Sequence, residues 1–176
     1  MKRIISVLMS LLVVLSFAGC SKEENKETAN EVTQAEPAEE VKELTPEEIE
    51  ALKEEDINAM LTIMVDAENV NSKIGDAVKA YNNRSADEEK TLETLKTLQA
   101  EFETVKESFK STTWKSDECS EYLKQLKTAL DGLDEFFVLV IEGFEEEDYD
   151  KQDNAFKSRQ IYIDESYALY QKISEE

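Results

Sequence analysis

Apolar residues recur at alternating three- and four-residue intervals through four separate stretches of this chain. That spacing places them on one face of a helix each time. The first seam is Ile57, Met60, Met64, Ala67, Asn71, Ile74, Val78 and Tyr81. The second is Leu95, Leu98, Phe102, Val105 and Phe109, and the third is Cys119, Leu123, Leu126, Leu130, Leu133, Phe137, Val140 and Phe144. In the fourth, Ala155, Phe156, Tyr162, Ile163, Leu169, Tyr170 and Ile173 are expected to face inward. With only 4 Gly and 2 Pro among 176 residues, little interrupts these patterns, and the abundance of Glu, Lys, Leu and Ala favours helix.

The boundaries are written in side-chain chemistry. Thr45 is a good N-cap, Pro46 suits the first helical position, and Glu48 completes a capping box, with Leu44 and Ile49 at the staple positions. The first helix should run to about Asn82. A second box, Ser85-Ala86-Asp87-Glu88, opens the next helix, which ends near Ser111-Thr112-Thr113. The third starts around Ser116, where Asp117 and Glu118 suit the positive end of the helix dipole. The acidic stretch Glu145 to Asp150 is a short connection, and the last helix runs from about Asp150 to Ser174. Short connections between amphipathic helices predict an all-α fold, an elongated antiparallel up-down-up-down four-helix bundle. At 1.5 Å per residue its helices are ~38–55 Å long. The run Phe136 to Ile141 is apolar on every side, so it is either buried all round or partly an exposed patch.

Ahead of this domain the chain changes character twice. Met1-Lys2-Arg3 is basic, Ile4 to Phe17 is apolar, and Ala18-Gly19 are small, which is the layout of a cleaved export signal. The apolar run falls short of the ~20 residues a spanning helix needs. The stretch Leu15-Ser16-Phe17-Ala18-Gly19-Cys20 resembles the lipobox of bacterial lipoproteins, with Phe17 where that family prefers Leu. The resemblance implies that the Cys20 thiol receives a diacylglyceryl group and that cleavage falls just before it. Two long acyl chains, at ~0.8 kcal/mol per buried methylene, then hold the protein stably on a membrane's extracytoplasmic face. From Ser21 to Leu44 the chain is polar and acidic, too poor in apolar residues to offset its ordering entropy, and is expected to be a disordered tether with a reach of ~25–30 Å. The expected organisation is thus signal peptide 1–19, lipidated cysteine and linker 20–44, and helical domain 45–176. In this layout the chain is similar to the small helical surface lipoproteins of Gram-positive bacteria, whose functions are unknown.

Charge narrows the functions. The formal net charge is −21, and loss of Lys2 and Arg3 on processing makes it more negative still. Such a surface repels nucleic acid. The chain holds no histidine, the commonest general base and metal ligand. It has no nucleophile elbow, phosphate loop or zinc spacing. The expectation is a non-catalytic protein that needs neither cofactor nor metal. The acids Glu145 to Asp150 with Asp153 lack the glycine and terminal bidentate acid of an EF-hand loop and read as a solvated charge run.

The remaining candidates are polar or aromatic residues in unusual places. Arg159 and Ser166 lie seven apart near the centre of the last helix's apolar face, flanked by Tyr162 and Tyr170. A guanidinium there must pair with a carboxylate or snorkel to water, since an unpaired buried charge is costly; it reads as an internal ion pair with an acid on a neighbouring helix or as the anchor of a ligand pocket. Asn71 on the first seam reads as a register-fixing polar residue. Cys119 reads as a small buried apolar residue, and Trp114, the single tryptophan, as a cap on one end of the core or a contact residue. The function expected is a membrane-anchored lipoprotein that binds an envelope protein or a cell-wall component. The alternative is a small-molecule or cation receptor using Arg159 and its tyrosines.

Overall fold

A computed structural model describes residues 44–175, and the signal peptide, Cys20 and tether expectations fall outside those residues. The described chain is all-α: α1 (Pro46–Asn82), α2 (Glu88–Ser111), a single 3-10 turn (Asp117–Cys119), α3 (Ser120–Glu145) and α4 (Tyr149–Glu175). The Thr45 box forms as expected: Glu48 N–H donates to Thr45 Oγ1 at 3.3 Å, and the Glu48 carboxylate accepts from Thr45 N–H at 2.8 Å. The second box does not. Asp87, not Ser85, caps α2, accepting from Lys90 N–H at 2.9 Å, while Ser85 Oγ turns back to the Ala80 carbonyl at 3.0 Å. Asp148 accepts from Lys151 N–H at 3.1 Å just ahead of α4, which starts at Tyr149, one residue before the expected Asp150.

The three-four seams form one continuous core. Met60, Ala67 and Ile74 of α1, Leu95 and Phe102 of α2, Leu126, Leu133 and Phe137 of α3, and Tyr162 and Leu169 of α4 are fully or almost fully buried. Phe137 meets Phe102 and Phe136 at ring-centroid distances of 5.8 and 5.4 Å. α3 contacts all three other helices and packs most extensively on α4. This resolves the Phe136–Ile141 run: Phe136, Phe137, Val140 and Ile141 are buried, and Val138 is the exposed member. Burying a phenylalanine such as Phe136 contributes ~2–3 kcal/mol.

Cross-helix polar contacts mark which residues stand level. Lys73 pairs with Glu101 and Lys96 with Glu145, and Lys106 reaches Asp134 at 2.6 Å. Along α3 and α4, Ser158 Oγ donates to Glu135, Lys151 pairs with Glu142, and Lys172 Nζ donates to Gln125. Burial would lower the Lys106 ammonium, but the hydrogen bonds to Asp134 and Glu103 outweigh it and hold the group above its ordinary value.

Asp56 supplies a contact the seams did not announce. It is 2% exposed, and its carboxylate accepts from the backbone N–H of Lys115 (2.9 Å) and of Ser116 (2.8 Å). Ser116 makes no side-chain cap bond to its own turn, and the acid from α1 instead holds the backbone just ahead of it. Beside it Cys119 is fully buried, its Sγ 3.9 Å from the Lys53 carbonyl. Trp114 packs on Phe109 at 5.6 Å and is half-buried at this end of the core. By its contacts the segment from Lys42 to Glu176 is one compact unit. None of its helices is long and apolar enough to cross a membrane.

Candidate groove between the first and last helices

α4 departs from expectation in one systematic way. Phe156, Ile163 and Tyr170, expected inward, are 39%, 37% and 56% exposed. The inward line is instead Ala155, Ser158, Tyr162 and Leu169. Each misplaced residue follows a buried one, so it sits about 100° further round the helix. Phe156 still touches the edge of Phe136. Ile163 and Tyr170, joined by Tyr167, form a second stripe that steps by four and three along α4. On α1 a matching stripe, Leu61, Val65 and Glu68, runs beside the buried seam. The two stripes face a common groove of about 550 Å³, whose remaining lining is Met64, Asn71, Tyr162 and Ser166. That volume lies within the usual range of small-molecule sites, and the walls are overwhelmingly apolar.

One end of the groove is polar. Arg159 donates from Nε to Asn71 Oδ1 at 2.7 Å and from Nη2 to the Asn71 carbonyl at 3.0 Å. Asn71 Nδ2 in turn donates to the Glu68 carboxylate at 3.2 Å, and Tyr162 Oη donates to the same carboxylate at 3.3 Å. The two polar residues flagged separately on their seams, Asn71 and Arg159, are therefore each other's partner. The expected direct carboxylate partner for Arg159 is replaced by an amide, with Glu68 one link beyond. The guanidinium passes Gly75 of α1 at a distance that would leave a methyl there in ordinary contact, 3.6 Å from Nη2. Burial pulls the Arg159 guanidinium below its ordinary value, against the pull of Glu68 and Tyr162. Burial, with the charge of Glu68 and the bond to it, pushes the Tyr162 hydroxyl well above the tyrosine range, while Ser166 and Arg159 act the other way. Ser166 sits close enough to polarise that hydroxyl, yet its buried Oγ lacks a well-formed protein hydrogen bond.

Of the sequence candidates, the fold thus brings Tyr162, Ser166 and Tyr170 together in one lining, with Arg159 behind it and reaching it through Asn71. Trp114, at the α2–α3 connection, is not part of this lining. Glu68, Leu61, Val65 and Tyr167 were missed. Leu61, Val65 and Tyr167 belong to two mainly apolar stripes just off the main seams, at positions a single-face reading assigns to solvent, whereas Glu68 is one exposed acid among many and carries no such signal. The acids near Asp150 make local contacts instead: Lys151 bridges Glu142 and Glu146 at 3.0 and 2.9 Å. Among the described residues no three acidic or cysteine side chains converge on a metal-sized site.

Comparison with known proteins returns no match: no family model, curated protein or solved structure aligns significantly with the chain.

Proposed function

We propose that this chain is an exported lipoprotein, anchored through Cys20 on the extracytoplasmic face of a membrane, whose helical domain is a non-catalytic receptor for a small apolar or amphiphilic ligand held between α1 and α4. The anchor rests on the Lys2-to-Cys20 pattern and the acidic linker behind it. The domain is read as an up-down-up-down bundle, because level pairs descend in opposite order along neighbouring helices. Glu135 with Ser158 and Glu142 with Lys151 do so for α3 and α4, and Glu68 with Tyr162 and Asn71 with Arg159 for α1 and α4.

The observation that carries the receptor reading is the pairing of two exposed apolar stripes across one groove with a polar cluster at its end. A docking surface for an envelope protein on Phe136–Ile141 has less support, since four of its side chains are buried. The titratable groups of the lining are one carboxylate and three tyrosines, with Tyr162 pushed up, a set better suited to holding a ligand than to moving protons at neutral pH.

Two measurements test this. Intact mass of protein extracted from its membrane should show a diacylglyceryl-modified Cys20 as the first residue, and Cys20→Ala should abolish the modification; any other mature N-terminus refutes the anchor. Nile red, a neutral apolar dye, should brighten on binding residues 42–176, and Val65→Glu at the exposed rim should remove most of that signal. An unchanged signal in Val65→Glu rejects the groove.

A further inference from the structure

The groove has a sign. Glu68 is the charged residue of its lining, and it sits on the exposed flank of α1. Its carboxylate takes long hydrogen bonds from Tyr162 and Asn71, at 3.2 to 3.3 Å, and two carboxylate oxygens have acceptor capacity beyond these. Arg159 attracts Glu68 but stands outside the lining, held on Asn71 through Nε and Nη2, so the charge on the groove wall itself is the carboxylate. Tyr167 and Tyr170, 63% and 56% exposed, line the same space, and the faces of such rings attract organic cations. A formal charge of −21 raises the local concentration of any cation before it reaches the site.

We infer that the ligand is an amphiphilic organic cation, an alkyl ammonium whose apolar tail lies along Leu61 and Val65 and whose charged head meets Glu68 and the two exposed tyrosines. This rests on the groove being a binding site, which Nile red tests independently of charge.

The test is titration of residues 42–176 with octyltrimethylammonium, octanol and octanoate, followed by calorimetry or by amide shifts along α1 and α4. The ammonium should bind about tenfold tighter than octanol, with octanoate weakest. Glu68→Gln keeps an acceptor for Tyr162 and should erase the preference for the ammonium over octanol. Glu89→Gln, on the exposed first turn of α2, removes the same unit of charge and should leave it intact. Equal binding of ammonium and octanol overturns the cationic ligand while leaving the groove standing. An equal loss in Glu68→Gln and Glu89→Gln also overturns it, because the preference would then belong to the overall field. If none of the three binds and Nile red also fails, the groove itself is rejected.

Discussion

Asp56 shows how much one buried side chain can organise. Its two carboxylate oxygens hold the backbone of Lys115 and Ser116, where the chain turns from α2 into α3 and would otherwise leave those donors unsatisfied. Asp56→Ala should therefore destabilise residues 42–176 by about 2–4 kcal/mol in urea unfolding, and Asp56→Asn, which keeps one acceptor, by roughly half that. Tyr162 makes a prediction about pH. Its folded-state value is raised above the ordinary 10.0, so its contribution is fully present below that pH. As pH rises past about 10 the unfolded chain ionises this hydroxyl and the folded chain does not, so stability falls by up to about 1.4 kcal/mol per pH unit. Tyr162→Phe lacks that loss. Relative to the variant, the wild type should lose stability between pH 10 and 11.5, and parallel curves would contradict the buried, Glu68-bound hydroxyl.

At the scale of elements, glycine separates close packing from mere contact. A methyl at Gly132 of α3 would come within 2.8 Å of the Ser158 carbonyl of α4, which is backbone and cannot swing aside. Gly132→Ala should destabilise by about 1–3 kcal/mol despite the helix propensity it gains. Gly75→Ala meets only ordinary contact with Arg159 and should stabilise by about 0.5–1 kcal/mol. The contrast in sign, read from thermal melts of the two variants, tests whether α3 and α4 are the tightly apposed pair. α1 and α4 meet over far less of their length, and the exposed stripe of Ile163, Tyr167 and Tyr170 lies along that looser pairing. Two helix ends also carry strain that no glycine announces: Arg84 and Glu147 adopt left-handed backbone with φ of 56° and 55°.

For the whole molecule, charge is the dominant liability. With 41 acids against 20 bases, self-repulsion opposes compaction, and each exposed ion pair contributes little against it. Raising NaCl from 10 to 300 mM should raise the melting temperature of residues 42–176 by a few degrees; a fall would mean that the surface pairs outweigh the repulsion. Four helices, their approximate ends and most of the core were legible in the sequence, because three-four periodicity and the Thr45-Pro46-Glu48 capping chemistry are local properties of the chain. The α2 cap moved from Ser85 to Asp87 because several polar residues competed locally and a backbone two residues further on satisfied the helix better. Asp56 carried a sequence signal that went unread, standing four residues before Met60 on the same seam. The groove carried a fainter one, since Leu61, Val65, Ile163, Tyr167 and Tyr170 sit beside the seams at positions that suit solvent equally well. Their meaning depends on which helix stands opposite and how closely. The sequence by itself determined that amphipathic helices would form and which broad face of each would seek the core. Only the tertiary structure decided that Arg159 would rest on Asn71, that Asp56 would hold the backbone of the α2–α3 connection, and that two spare, mainly apolar stripes would face each other across an open space, because each is a contact between residues 59 or more apart in the chain.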